Sequence, residues 1–374
     1  YMKLFKCQNC GQLLYFENTK CERCGHALGY LWERAALVTL TPAQNGQWFI
    51  AAAPATAYTY CANVQYGSCN WLIAGDSDDT LCLACQLNHT IPDLSQPMNL
   101  TRWQKLEVAK HRLVYSLLRL QLPVVSKEHN ETWGLEFEFL ADDNSPNGQV
   151  VPVTTGHKDG VITINIAEAD DAKRESARQS LAEPYRTLLG HFRHEIAHYY
   201  WMLFAQSPSW LQEFRAVFGD ERKNYADALA DHYANPQTDN WQASFVSAYA
   251  ATHPWEDWAE TWAHYLHIVD TLETAHAFGL QIEPAVDVDQ TLSTSVEFDP
   301  YRPHHFEDLI ATWLPLTFAV NSLNRSMGQP DLYPFVLTPT VMKKLTFIHN
   351  RIGSSDDIVQ MRNGFADDLH TIPT

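Results

Sequence analysis

The stretch "GHFRHEIAHYY", Gly190 to Tyr200, decides how this chain is read. Its centre, His194-Glu195-Ile196-Ala197-His198, is an H-E-x-x-H pattern. At the helical period, His194 and His198 lie one turn apart on one face, so both imidazoles can reach a single zinc ion. Glu195 stands beside them, placed to act on water at that ion without being a ligand. Leu188, Leu189, Phe192, Ile196, Tyr200 and Leu203 mark the buried stripe of the same helix. The bland reading is a helix whose histidines make ordinary hydrogen bonds, and His191, on the same face, adds weight to it.

A catalytic zinc site needs a third protein ligand and one open position. The extension H-E-x-x-H-x-x-G-x-x-H is excluded, because Trp201 and Phe204 occupy the glycine and histidine positions. A later helix must therefore supply the ligand. The candidate is "SAYAATHPWEDWAETWAHYLHI", Ser247 to Ile268, where Pro254 opens a helix. Glu256, Glu260 and His264 recur there every four residues, beside Trp258, Trp262 and Leu266. Acidic residues also suit a first helical turn through the macrodipole, so spacing alone leaves the choice open.

Working outward, all eight cysteines lie at or before Cys85. Cys7 and Cys10, then Cys21 and Cys24, form two C-x2-C knuckles, each followed by a glycine that permits the tight turn of a zinc ribbon. Cys61, Cys69, Cys82 and Cys85 are less regular but make a second four-cysteine zinc module, with His89 as an alternative donor. Clustered pairs of this kind read as metal ligands in a reducing compartment, not as a disulfide framework. Tyr1 to Cys10 contains no apolar leader, and the longest apolar run, Ile310 to Val320, is too short to span a bilayer. The expected location is cytoplasmic. A formal net charge of -18 disfavours non-specific nucleic-acid binding and anionic membranes.

The chain has 374 residues, enough for two or three domains. A long helix is predicted from Arg102, stopped by Pro123, with a domain boundary near residues 90–100. Alternation predicts strands over Thr132–Leu140 and Val161–Ile166, and the second is a candidate edge strand for extended peptide. Pro184 fits the first turn of the helix carrying H-E-x-x-H, and further helices are expected at 208–218, 221–234, 241–251, 255–272, 305–326 and 339–351. The charged run Asp220, Glu221, Asp227, Asp231 reads as a solvated face, with His232 near the cleft. Tyr199, Tyr200, Trp255, Trp258 and Trp262 read first as core and second as pocket walls. The polar stretch 280–305 has the texture of a cover for the cleft.

"YAATHPWEDWAE" resembles the third-ligand helix of gluzincins of the lethal-factor type and of the Mlc titration factor peptidase. Tyrosine there precedes the glutamate ligand by seven residues and a second glutamate follows by four, as Tyr249, Glu256 and Glu260 do here. More broadly, "INIAEADD", "EPYRTLLGHFRHEIAHYYW", "FRAVFGDE", "YADAL" with the following "HY", and "HPWEDWAETWAHYLHI" resemble the zinc-binding metallopeptidase family that carries an N-terminal zinc-ribbon region. The resemblance implies an α+β fold: a mainly helical zincin-like domain with a small sheet over 96–374, behind a β-rich ribbon region made of a ribbon at 1–30 and a second module at 31–95. It implies a zinc-dependent peptidase with one catalytic and two structural zinc ions. His194, His198 and Glu256 would be the catalytic ligands, Glu195 the general base, Tyr249 the oxyanion donor and Glu260 the residue that orients a ligand histidine, with Asp257 second in line. The partner is a peptide or protein substrate, and the ribbon region offers a surface to a protein partner. The competing function is a ribbon-based protein- or nucleic-acid-binding module whose zincin domain is inactive or structural.

Overall fold

The computed structural model describes residues 3–144, 150–151, 153–180, 187–234, 240–286, 289, 291–302, 304–354 and 361. Pro184 lies outside them. The chain divides into two compact units, one ending at Phe192 and one running from Arg193 to Met361.

The first unit begins with the ribbon, where β1 (Phe5–Lys6) and β2 (Leu13–Leu14) pair antiparallel. Gly11 and Gly25 adopt left-handed φ values of 72° and 75°, which closes the two knuckle turns onto the carbonyls of Cys7 and Cys21. A five-stranded antiparallel sheet follows: β3 (Ala27–Leu31), β4 (Ala36–Pro42), β5 (Trp48–Ile50), β6 (Ala53–Tyr60) and β7 (Leu72–Ala74), in sequential order. Leu31, Val38, Leu40, Ile50, Tyr58 and Leu72 form its core.

After β8 (Asn88–Thr90), Pro97 opens α1 (Pro97–Arg119). Trp103, Leu106, Leu113 and Leu117 recur on its buried side at helical spacing. Its Tyr115 ring joins Phe16, Tyr30 and Trp71, with Phe16–Tyr30 centroids 4.6 Å apart, and Arg112 pairs with Glu17, so α1 seats on the β-rich region. The helix stops just before the predicted proline, because Gln121 turns left-handed at φ 58°.

Then come β9 (Glu136–Leu140), β10 (Asp143–Asn144), β11 (Val150–Val151), β12 (Gly156–Lys158) and β13 (Val161–Asn165). The four-stranded sheet has the order β12-β13-β9-β8, with β8–α1–β9 a parallel crossover. Asp159 and Gly160, both at positive φ, make the tight β12–β13 turn. The alternation was legible: Phe137, Phe139, Ile162 and Ile164 are buried. However, β13 lies between β12 and β9, so it is not the edge strand considered above. Next are α2 (Asp171–Ser180) and α3 (Leu188–Phe204), whose first turns close this unit with Phe192 on Phe137 and Phe139. His191 there pairs with Glu168.

The second unit continues α3 and adds α4 (Pro208–Phe218), α5 (Tyr225–Ala234), α6 (Pro254–Phe278), a hairpin of β14 (Gln281–Ile282) and β15 (Thr294–Ser295), α7 (Phe306–Ser326) and α8 (Pro339–Gly353). The central helix is α6. Pro254 occupies its first turn, Glu256 and Asp257 complement its N-terminal dipole, and Gly279 closes it in a left-handed cap. The His253 ring caps its N-terminus: Nδ1 accepts from Trp255 N–H, so Nε2 carries the proton and donates to the Lys223 carbonyl. Burial lowers the His253 pKa, in keeping with a neutral ring.

Trp210, Phe214, Phe218, Trp258 and Phe347 pack into one aromatic cluster joining α4, α6 and α8. Tyr199, Tyr200, Trp258 and Trp262 are fully buried, which makes them core and not pocket walls; only Trp255 of that set is partly exposed.

Two expectations fail in this unit. The helix predicted over 241–251 is two short 3-10 turns, Trp241–Ala243 and Tyr249–Ala251. Ser247 explains the second, since its hydroxyl accepts the Ala250 N–H in place of a helical carbonyl. The run from Asp220 is not wholly solvated, because Glu221 is buried against Arg215. The stretch 280–305 forms the small β14–β15 hairpin, with residues 287, 288, 290 and 303 outside those described. No helix among the described residues is long and apolar enough to cross a membrane.

His264 donates or accepts at Tyr333 through Nδ1 (2.8 Å), and burial drives its pKa down to about 4. A histidine depressed in the folded state binds its proton more readily when unfolded. Its contribution is therefore complete above about pH 6.5 and lost as pH falls toward 4. Denaturant unfolding at pH 7 and pH 5 is expected to show a stability loss larger by about 2 kcal/mol in the parent protein than in His264→Asn. Equal losses in the two would contradict this.

Candidate metal centre

The second unit brings His194 and His198 of α3 against Glu256 of α6. His194 Nε2 lies 3.3 Å from His198 Nε2 and 3.0 Å from Glu256 Oε2, and His198 Nε2 lies 3.7 Å from that oxygen. A tetrahedral zinc with bonds of about 2.0–2.1 Å has ligand–ligand edges of about 3.3 Å. Glu256 is 2 % exposed, and its Oε2 accepts no hydrogen bond, although two histidines face it. A buried carboxylate oxygen in that condition is costly unless a cation lies among the donors. The donor set therefore fits zinc.

The surroundings fix these side chains. His194 Nδ1 donates to Glu260 Oε1 (2.8 Å), and Ser247 Oγ donates to Glu260 Oε2 (2.7 Å). Burial works against a charged His194, but Glu256 and Glu260 outweigh it and raise its pKa well above the ordinary value. Burial likewise lifts Glu256, and the neighbouring His198 and His194 overcome it, holding the carboxyl well below the usual range. A proton would thus compete with a metal for His194, so any metal affinity there would weaken as pH falls.

Glu195 is 5 % exposed, and its charge helps raise the pKa of Tyr225, after the larger effects of burial and Glu256. The Tyr249 ring lies 5.9 Å from that of His194 and 6.1 Å from that of His232, so His232 does approach the site.

The two other candidates on α6 lie elsewhere. Asp257 meets Lys344 of α8 at 2.6 Å, while burial lifts its pKa to about 7 against that charge. It does not orient a ligand histidine. His264 faces Tyr333.

Sequence reasoning missed two residues. Tyr225 of α5 donates its hydroxyl to Glu256 Oε1 (2.8 Å), and Ser247 holds Glu260. Both arrive from outside α3 and α6, so no local spacing marks them.

In the first unit, the sulfurs of Cys7, Cys10, Cys21 and Cys24 converge, with Cys7–Cys24 at 3.5 Å and Cys10–Cys21 at 3.6 Å. Those of Cys61, Cys69, Cys82 and Cys85 converge likewise, with Cys69–Cys82 at 3.7 Å, and all eight cysteines are free of disulfides. A zinc tetrathiolate has edges of about 3.8 Å. The His26 N–H aimed at Cys24 draws its thiol down to about 5, as the knuckle turn requires. His89 is not beside the second cluster; it reaches Glu138 at the surface. The adjacent histidine is His111 of α1, whose Nε2 lies 3.7 Å from Cys85 Sγ. Buried Glu107 sits with it, neutralised by Lys110 at 2.8 Å. Nothing in the cysteine spacing announces these helix residues.

Residues 99–351 match the model of a family described as "Putative zinc-binding metallo-peptidase", and residues 4–96 match a zinc-ribbon domain. Uncharacterized proteins of Mycobacterium bovis and of two strains of Mycobacterium tuberculosis are each 43% identical over 349 residues, covering 93% of this chain and 94% of theirs. No solved structure matches. With two thirds of its length matched by that model, and a ribbon domain ahead of it, the chain belongs to this family of zinc-binding metallopeptidases.

Proposed function

We propose that the protein is a gluzincin-type peptidase that hydrolyses peptide bonds at a zinc ion held by His194 Nε2, His198 Nε2 and Glu256 Oε2. The observation that carries this reading is the convergence of those three atoms around a buried carboxylate oxygen that accepts no hydrogen bond. A bound zinc ion would supply a Lewis acid for the scissile carbonyl and make water nucleophilic near neutral pH. Glu195 takes the proton of the attacking water and returns it to the leaving amine. Tyr249 hydrogen-bonds the oxyanion as it develops. Glu260, steadied by Ser247, holds the proton on His194 Nδ1 and so keeps the Nε2 lone pair turned to the metal. The two cysteine clusters hold structural zinc.

The test is digestion of a mixed peptide library by the zinc-loaded full chain, read as new termini by mass spectrometry, with His194→Ala beside it. Cleavage by the parent protein alone supports the reading. Equal cleavage by both, or none by the parent after zinc loading, contradicts it.

A further inference from the structure

Tyr225, the first residue of α5, belongs to no metal-binding motif, yet its hydroxyl reaches the candidate third ligand. The two oxygens of Glu256 have different neighbours. Oε1 accepts from Tyr225 at 2.8 Å, and Oε2 faces His194 Nε2 at 3.0 Å and His198 Nε2 at 3.7 Å. The ring that carries the hydroxyl is fixed by the same turn that starts α6. It stands edge-on to His253 at 5.3 Å and tilted against Trp255 at 6.1 Å, and His253 caps the helix that bears Glu256.

We infer that Tyr225 is a positioning residue that confines Glu256 to one donor oxygen and so keeps one side of the metal site open. This rests on the reading that His194, His198 and Glu256 hold zinc. A carboxylate can bind a cation through one oxygen or both. Glu256 is 2 % exposed, so removing the donor leaves Oε1 largely shielded from bulk solvent and short of a partner. The nearest positive partner is then the metal itself. Two-oxygen binding would occupy the face that substrate and water need, without expelling the ion.

The test is Tyr225→Phe, which keeps the ring and its packing and deletes only the hydroxyl. Zinc content of the full chain is measured by elemental analysis, and binding of acetohydroxamate, a small probe of open zinc positions, by calorimetry. His194→Ala serves as the reference without the site. The expected result is unchanged zinc content in Tyr225→Phe with acetohydroxamate affinity reduced about 10–100-fold. Unchanged acetohydroxamate affinity, or loss of the His194-dependent zinc from Tyr225→Phe, overturns the inference and leaves the peptidase reading standing. A parent protein with neither His194-dependent zinc nor acetohydroxamate binding overturns both.

Discussion

Glu195→Gln is expected to lower peptide hydrolysis by about 10²–10⁴-fold while zinc content stays at the parent level. The substitution changes little in size. What it removes is the ability to accept a proton. Glu195 follows the proposed ligand His194 on α3 and is buried at the site, but it is not among the three converging residues. A general base in this position acts on the water and not on the ion, so turnover should collapse without loss of metal. Steady-state cleavage of a peptide found in the library digest, together with elemental analysis of the same sample, checks both halves. Persistent turnover would place the base elsewhere. Loss of zinc would make Glu195 a ligand and displace Glu256 from that role.

The second large effect is expected at the other end of the chain. Cys82→Ser should remove one zinc ion and unfold the β-rich region, read as rapid hydrogen exchange over β3 to β7. All four cysteines of this cluster are buried, and a serine hydroxyl is a poor replacement for a thiolate at zinc. Structural zinc contributes about 10–16 kcal/mol in small zinc-binding folds, comparable to or above the 5–15 kcal/mol that separates a domain from its unfolded state. The damage should spread to α1, because Cys85 lies against the buried group of Glu107, Lys110 and His111. Those charges are placed to face a metal-thiolate cluster and become costly when it is lost. Unchanged zinc content and exchange in Cys82→Ser would show that the cluster is not a structural site.

What could be read from the sequence was what local spacing controls. Two histidines four apart on an amphipathic helix must share a face, and their Nε2 atoms do lie 3.3 Å apart. The knuckle cysteines are brought together by turns of a few residues, and the strands over Glu136–Leu140 and Val161–Asn165 followed from alternation. The zinc-binding metallopeptidase family was legible differently, as a resemblance carried by whole motifs such as "HPWEDWAETWAHYLHI". Failures came where a side chain's partner lies far along the chain. Residues 241–251 carry alanines and aromatics that suit a helix, yet Ser247 spends its hydroxyl on Glu260 and the Ala250 N–H. Tyr225 looked like part of a charged helix until α6 brought Glu256 to its hydroxyl. Asp257 sits one residue from a candidate ligand but faces Lys344, because one step along a helix turns a side chain by about 100°. Glu107 and His111 could not be tied to Cys85 by spacing, since β8 and the first turns of α1 separate them.

The most direct measurement is zinc stoichiometry, by elemental analysis, of the full chain and of His194→Ala. The account predicts about three zinc ions per chain falling to about two, with the two cysteine clusters undisturbed. A count of two or fewer that does not change in the variant, even after incubation with added zinc, would mean that the H-E-x-x-H helix holds no metal and would contradict the proposed peptidase.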